Sequence, residues 1–385
     1  MIKVTDRSLC CGCTACQAVC PHGAVSMVPD ALGFKYPAVD MDRCTDCGLC
    51  EKVCDFVKTS AEPSSRPENV QVVAARNKDA AVLGMSQSGG VFTALAEVVL
   101  SNGGAVYGAA MNPDFTVSHR RAETLDECAA LRGSKYVQSD MGDVFPQVRK
   151  DLEDGREVLF SGTPCQVAGL ASYIPKRLTD RLLTVDFICH GVPSPKVWAD
   201  YVEYMGRKGE LSSVVFRDKG AEGWKVHKES FEYKDGRKVF RDTYRVLFYK
   251  NIMLRRSCTS CPYDYSRRKG DITIADFWGV EEILPHFDGN QGTSMVIPMS
   301  EKGHAALQAA SASMITEHAT VGADFLSRRN PNLLSPAKMY HESDMFERLY
   351  PERGFIHAAR RWGDMGWRYK AWEMKVFFRK LFGKK

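Results

Sequence analysis

The chain has 385 residues, 44% hydrophobic and 26% charged, a composition that supports two or three packed domains and excludes a disordered or fibrous protein. Its net charge of +5 sits at one end: residues 360–385 hold nine Lys or Arg against two acids, Asp364 and Glu373, so the remainder is slightly acidic and a nucleic-acid-binding body is excluded. No apolar run reaches the ~20 residues of a membrane span, and fourteen cysteines without a basic-then-apolar leader predict a reducing, cytoplasmic setting.

First in chain order is a pair of cysteine runs. Cys10, Cys13, Cys16 and Cys20 are followed by Pro21; Cys44, Cys47, Cys50 and Cys54 repeat the spacing 34 residues later, with Asp55 in place of the proline. C-x2-C-x2-C-x3-C is the bacterial ferredoxin signature, in which three thiolates wrap one 4Fe-4S cubane and the fourth crosses to the other. One cluster is expected on Cys10, Cys13, Cys16 and Cys54, the second on Cys44, Cys47, Cys50 and Cys20. The exchange staples together a segment too short to build much core. Structural zinc, which usually takes separated C-x2-C pairs, fits these triplets less well. Cys11, off the pattern, reads as a spectator. Residues 1–58 are thus expected to form a ferredoxin-like 2x4Fe-4S domain, and residues 59–69, rich in Pro, Ser and charge, a linker.

Strands and helices then alternate. The pattern predicts strands over 70–75, 105–110, 157–160 and 182–189, with helices over 91–100 and 165–174, as in an α/β body. Segments 214–216, 230–233 and 238–240, with Asp235-Gly236 between the last two, predict an antiparallel hairpin element. Residues 336–385 read as a basic, aromatic helical tail, in which Trp367, Ala371, Met374, Phe378 and Leu381 form one stripe edged by Phe377 and Phe382. Such a helix can lie on the inner face of an anionic membrane through residues 360–385, or pack against the body or a partner. The expected fold is α+β / α/β: a ferredoxin-like domain, an α/β body with an antiparallel hairpin element, and a C-terminal basic helix.

Six segments carry a resemblance: SQSGGVFTAL (86–95), RGSKYVQSD (132–140), LFSGTPCQVAGL (159–170), FICHGVPSPKVW (187–198), RRSCTSCPYDYSRRKGDITIADFWGV (255–280) and QGTSMVI (291–297). In this order they closely resemble the family of coenzyme F420 hydrogenase/dehydrogenase beta subunits, which includes deazaflavin-oxidising members and the hydroxymethyl-chlorophyll reductase. The resemblance covers roughly residues 70–300. It implies an N-terminal-type domain of these beta subunits over 70–155, a C-terminal-type flavin and iron–sulfur domain over 156–335, and an FAD-bearing oxidoreductase.

The same residues have a physical logic. Gln87, Ser88, Gly89 and Gly90 precede the helix that carries Thr93, where glycines and free N–H groups suit a diphosphate, although a Gly-Gly turn before a helix is common without a ligand. Gly133, Ser134, Lys135 and Tyr136 supply a small-residue turn, a cation and an aromatic ring, or a merely solvated loop. Gly162 and Thr163 end a strand ahead of Gln166, where open α/β sheets bind ligands. With the resemblance, all of these, and His190 with Gly191, are expected to contact FAD. Cys165, Cys189, Cys258 and Cys261 then suit a third 4Fe-4S cluster beside it; two ordinary buried cysteines and half a zinc site are the competing reading. Cys128 reads as core.

His190, Lys135 and Tyr136 are alternative proton donors. Arg255, Arg256, Arg267, Arg268 and Lys269 could meet a deazaflavin's anionic tail, FAD phosphates, a partner or water. The expected function is an oxidoreductase passing electrons between a ferredoxin or similar one-electron carrier and FAD, then to a small organic substrate, with a deazaflavin one candidate. An electron-transfer subunit of a larger complex with no substrate of its own is the alternative, and a redox-sensing adapter a weaker one. Substrate, direction and oligomeric state stay open.

Overall fold

The computed structural model describes residues 1–287 and 289–367 together with Tyr369, Ala371 and Met374. Its N-terminal module is built around the two cysteine loops and one antiparallel hairpin, β1 (Val25–Pro29) and β2 (Lys35–Val39). The loops repeat in conformation as well as in spacing. Gly12 and Thr14 have positive φ in the first, and Asp46 and Gly48, 34 residues on, have it in the second. That left-handed backbone coils each loop around the space between its cysteines.

The body is one eight-stranded mixed sheet. Its strands are β3 (Asn69–Asn77), β4 (Ala105–Met111), β5 (Val117–Ala122), β6 (Val158–Gly162), β7 (Leu182–Phe187), β11 (Ile272–Asp276), β12 (Ser294–Pro298) and β13 (Met314–Gly322), and the intervening β8 (Leu211–Val215), β9 (Glu229–Tyr233) and β10 (Lys238–Arg241) form a separate three-stranded sheet. The large sheet runs β13-β3-β12-β11-β7-β6-β4-β5, with β4, β6, β7 and β11 parallel at its centre. These central strands are buried on both faces, so they read as apolar runs rather than alternating ones. The helix Val91–Ser101 buries Val91, Ala94, Leu95 and Val99 at helical spacing against Val106 and Ala110 of β4.

The expected strands and helices occur with ends shifted by a few residues, and the Asp235-Gly236 turn joins β9 to β10 with Gly236 at φ +84°. Four differences bear on function. β7 stops at Phe187, two residues short, which frees the segment carrying Cys189 and His190 as a loop beyond the strand end. Residues 70–155 and 156–335 contribute strands to one shared sheet, so the cavity between those strands draws on both. Residues 59–69 are no loose tether: Thr59 is fully buried, and Ser64 donates to Asp264 (2.6 Å) while the Ser65 amide donates to Ser266 (3.1 Å).

Much of the expected tail belongs to the body. The helix Ser343–Arg361, bent at Gly354 (φ +69°), buries Phe346, Tyr350, Phe355 and Ala358, with Trp362 after its end, against Trp198, Tyr201, Tyr244 and Phe248. Of the proposed stripe, Trp367, Ala371 and Met374 are exposed, while Phe377, Phe378, Leu381 and Phe382 lie outside the described residues. Among the described residues no helix is long and apolar enough to cross a membrane.

Candidate functional site

In the ferredoxin module, Cys20 crosses over to line one cavity with Cys44, Cys47 and Cys50, and Cys16 sits within electrostatic reach of Cys10, Cys13 and Cys54. Sulfur atoms there accept backbone N–H bonds, from Ile2 to Cys50 (3.2 Å) and from Ala24 to Cys20 (3.3 Å). Cys47 is exposed, so the Cys20/44/47/50 group faces outward. The other group faces the body. A Cβ on Gly169, in the helix Pro164–Tyr173, would stand 2.7 Å from the Cys13 sulfur, so only glycine lets that helix approach so closely.

A second cavity lies directly behind. Cys165 from the first turn of that helix, Cys189 beyond β7, and Cys258 and Cys261 from the loop before β11 all line it. Burial raises the Cys258 and Cys261 thiols to about 12, and burial plus the neighbouring cysteines also pushes Cys189 well above the usual thiol range. Cys165 goes the other way, down to about 7, because hydrogen bonds from Cys11 and Thr163 favour its thiolate. The three raised thiols do not ionise unaided, and bound iron takes all four deprotonated. Two buried guanidiniums, Arg255 and Arg268, line the same cavity; Arg268 is paired with the buried Asp186 (2.8 Å), while its Nε has no hydrogen-bond partner. Among the described residues no three His, Cys, Asp or Glu side chains converge on a point as a single-ion site requires. The donor set fits a cubane, whose irons lie apart. Cys11 is not peripheral: it is buried and touches both Cys13 and Cys165.

The third cavity is the large one, about 1790 Å³ including its mouth, at the C-terminal ends of β6, β7 and β11. Its enclosed part, about 370 Å³, falls within the roughly 300–1,000 Å³ of common small-molecule sites. Gln87, Ser88, Gly90, Thr93, Gly133, Ser134, Lys135, Tyr136, Gly162, Thr163, Gln166, His190 and Gly191 all line it. Gly89 does not. It packs behind, where an added Cβ would stand 2.1 Å from the Ala75 carbonyl. The helix Val91–Ser101 opens here with Gly90 at φ +80° and no side-chain cap, and the buried Gln87 Nε2 has no partner. Both are donors awaiting an acceptor, as the diphosphate of FAD would supply. Thr163 and Gln166, by contrast, form a capping box with one another.

The three proton-donor candidates are held differently. The Lys135 ammonium donates to the carbonyls of Ala130 (3.0 Å) and Arg132 (2.6 Å), and burial lowers it to about 7. His190 is held at both nitrogens, by the amide oxygens of Asn332 (3.1 Å) and Asn251 (2.6 Å). Tyr136 lies among rings, 5.0 Å from both His227 and Phe248.

Profile comparison of the whole chain agrees with this architecture. Residues 72–145 match the model described as "Coenzyme F420 hydrogenase/dehydrogenase, beta subunit N-term", residues 155–322 the corresponding model for the C terminus of the same beta subunit, and residues 9–56 the "4Fe-4S dicluster domain". The chain belongs to the family of coenzyme F420 hydrogenase/dehydrogenase beta subunits, with a fused 4Fe-4S ferredoxin domain. It is similar to the F subunit of the F(420)H(2) dehydrogenase of Methanosarcina mazei, 25% identical over 198 residues, covering 49% of this chain and 55% of that one. The chain thus spans about half the length of that relative. Its N-terminal part is similar to an uncharacterized ferredoxin of Methanocaldococcus jannaschii, 39% identical over 70 residues, which are 17% of this chain and 88% of that one. Among solved structures, the F420-reducing [NiFe] hydrogenase complex from Methanosarcina barkeri aligns over 66% of this chain and 85% of its own at 20% identity and a TM-score of 0.47.

Within this framework the basic run behaves unlike the anion-binding patch considered from sequence. Arg255 and Arg268 face the cysteines. Arg256 pairs with Asp344 and with Glu347 (2.7 Å), Arg267 with Asp264 (2.6 Å), and Lys269 with Glu62 (3.7 Å). The cations in the large cavity are instead Arg132, Lys135, Arg217 and Arg329. Arg217 is paired with Asp276 (2.5 Å) and lies 5.2 Å over Trp278, which stacks on Trp224 at 4.8 Å. His119 is another missed lining residue. Burial pulls it down to about 4; its Nε2 donates to the Ser161 carbonyl (3.0 Å) and its Nδ1 accepts from Ser139 (2.8 Å). Neither residue sits in a recognisable motif, though the run ADFWG (275–279) held a sequence signal for Asp276 and Trp278.

Proposed function

We propose that this oxidoreductase-family chain carries FAD in the large cavity and a third 4Fe-4S cluster on Cys165, Cys189, Cys258 and Cys261, with the outward ferredoxin site receiving electrons from a one-electron carrier and a small organic substrate meeting the flavin. One observation carries this reading: Thr163, Cys189, Gly191, Val192 and Asn332 line both the cysteine cavity and the large cavity. With both groups bound, a shared wall of this kind would set a one-electron centre against a two-electron one. Bound FAD would store two electrons and exchange a hydride. The chain's own residues do the rest. Gln87 and the uncapped helix N-terminus bind phosphate, Lys135 holds a proton near neutrality, and the His190 ring is fixed at the cavity wall between two amides. The deazaflavin named in the family's description is one substrate candidate.

The test is iron, sulfide and flavin content of protein purified without oxygen, beside a Cys165→Ala variant. About twelve irons and one FAD are expected, with about four irons fewer, FAD retained and ferredoxin-driven flavin bleaching lost in the variant. Normal bleaching in that variant would end the third-cluster reading. Eight irons and no flavin would leave an electron-transfer subunit without its own substrate, a reading that the resemblance to a protein named as a subunit supports.

A further inference from the structure

The residue that joins the ferredoxin module to the cysteine cavity is Arg255. Its backbone belongs to the third-site loop: its amide donates to Val192 (3.0 Å) and its carbonyl accepts from the Cys258 amide (2.9 Å). Its side chain leaves that loop and enters the ferredoxin module. Nε donates to the Cys10 carbonyl (2.8 Å), Nη2 to the Lys35 carbonyl (2.9 Å) and Nη1 to Gln138 (3.0 Å), and Nη2 stands 3.6 Å from the Cys10 sulfur. The guanidinium lies 4.2 Å over the Tyr36 ring. Gly12 closes over it, since an added Cβ there would be 2.9 Å from Nη1.

Among the described residues, what Arg255 lacks is a carboxylate. The residue is fully buried, and its partners are carbonyls, an amide, rings and a cysteine sulfur. A buried cation is costly without an opposite charge. The charge facing this one is the thiolate set of the Cys10 site on one side and of the third site on the other. Backbone N–H groups reach the cysteines of both ferredoxin sites, but the outward Cys20/44/47/50 site faces solvent, and the Met1 ammonium that lines it is already paired with Asp46 (2.9 Å) and Glu51 (3.4 Å). Local charge and hydrogen bonds to sulfur are among the terms that set cluster potentials. An added electron makes a cluster more negative, so a fixed neighbouring cation favours the reduced form.

We propose that Arg255 is a positioning residue for electron transfer that couples the Cys10/13/16/54 cluster to the third cysteine site and holds that cluster's reduction potential above that of the outward cluster. Electrons arriving at the surface are thereby drawn inward. Arg255 acts through the cluster rather than on substrate. The inference rests on Cys10 being a ligand of the inner ferredoxin cluster.

The experiment is an EPR-monitored redox titration of the full chain, with iron content, for wild type, Arg255→Gln, Arg255→Lys and Gln138→Glu. A Cys47→Ser variant identifies the signal of the outward cluster. The glutamine variant should shift the inner cluster to more negative potential, the lysine variant should restore most of that shift, and the outward cluster should stay put in both. Gln138→Glu keeps the guanidinium but sets a carboxylate against it, and should shift the inner cluster in the same direction even if Arg255→Gln fails to assemble. A fully iron-loaded Gln138→Glu or Arg255→Gln with an unmoved inner cluster overturns the proposal. So does equal behaviour of the glutamine and lysine variants, which would make shape rather than charge the determinant. If Cys10 were not a ligand, a Cys10→Ser protein would keep its full iron and both ferredoxin signals, which separates that failure from this one.

Discussion

Lys135 shows how one residue can serve both packing and chemistry. Its two acceptors, the carbonyls of Ala130 and Arg132, are satisfied equally well by a neutral amine, which still has two N–H groups. Burial lowers its pKa to about 7, against about 10.4 in an unfolded chain. Between those values the unfolded chain binds a proton that the folded chain does not, so stability rises with pH across that window, and the cost of burying the charge is fully present below about 7. Lys135→Met removes the titration together with both hydrogen bonds, and water can replace the one to the exposed Ala130 carbonyl. The melting temperature of the wild type should therefore pull further ahead of the variant as pH rises from 7 to 10. Parallel curves for the two proteins would show that the ammonium is not held as described.

At the scale of elements, the loop over residues 86–90 is the joint between sheet and cavity. Ser88 donates to the Thr293 carbonyl (2.9 Å), the Gly89 amide donates to Ser294 (2.9 Å), and the Lys219 ammonium donates to the Ser88 carbonyl (3.2 Å). Gly89 lies so close to β3 and β12 that a methyl group would meet backbone atoms, the Ala75 oxygen at 2.1 Å and the Ser294 nitrogen at 2.7 Å. Backbone cannot step aside as a side chain does, so Gly89→Ala should cost at least the ~1–3 kcal/mol of an overpacked core and displace the uncapped helix start. The expected result is a lower melting temperature with FAD content falling more steeply than iron content; unchanged flavin content would separate this loop from the cofactor. Sequence made this segment visible because glycines before an apolar helix are a local signal. The same holds for the cysteine loops, whose 34-residue repeat survives as a repeat of backbone conformation. Arg217, His119, Asn251 and Asn332 left no such trace. Arg217, His119 and Asn332 reach the cavity, and Asn251 holds His190 at its wall, from strands and loops far apart in the chain, and each is an ordinary residue until the sheet order brings it there. The packing of Cys11 left no trace for the same reason: its neighbours include Cys165, on a helix more than 150 residues away.

At the scale of the whole molecule, the C-terminal segment tests where the body ends. Composition made residues 336–385 look like one basic tail, because aromatic residues on an amphipathic helix have the same pattern whether they face a membrane or a core. Tertiary context divides the segment. Phe346, Tyr350, Phe355 and Trp362 are buried in the cluster that also holds Trp198, Tyr201 and Tyr244, with the Trp362 indole donating to Glu342 (2.6 Å) and the Tyr350 hydroxyl to Asp200 (2.8 Å). Removing one buried aromatic side chain costs roughly 3–5 kcal/mol, and a folded domain is stable by only about 5–15 kcal/mol. A chain ended at Glu342 loses all four and should be insoluble or unfolded. A chain ended at Trp367 keeps every one of these contacts and should match the full protein in melting temperature and iron content. Any anionic-vesicle binding by the full protein should then be absent from this shorter chain, since it lacks seven of the nine basic residues that begin at Arg360 but retains Arg360 and Arg361. Equal vesicle binding by both would place the membrane contact on the body, and instability of the chain ended at Trp367 would show that the core extends further than Trp362.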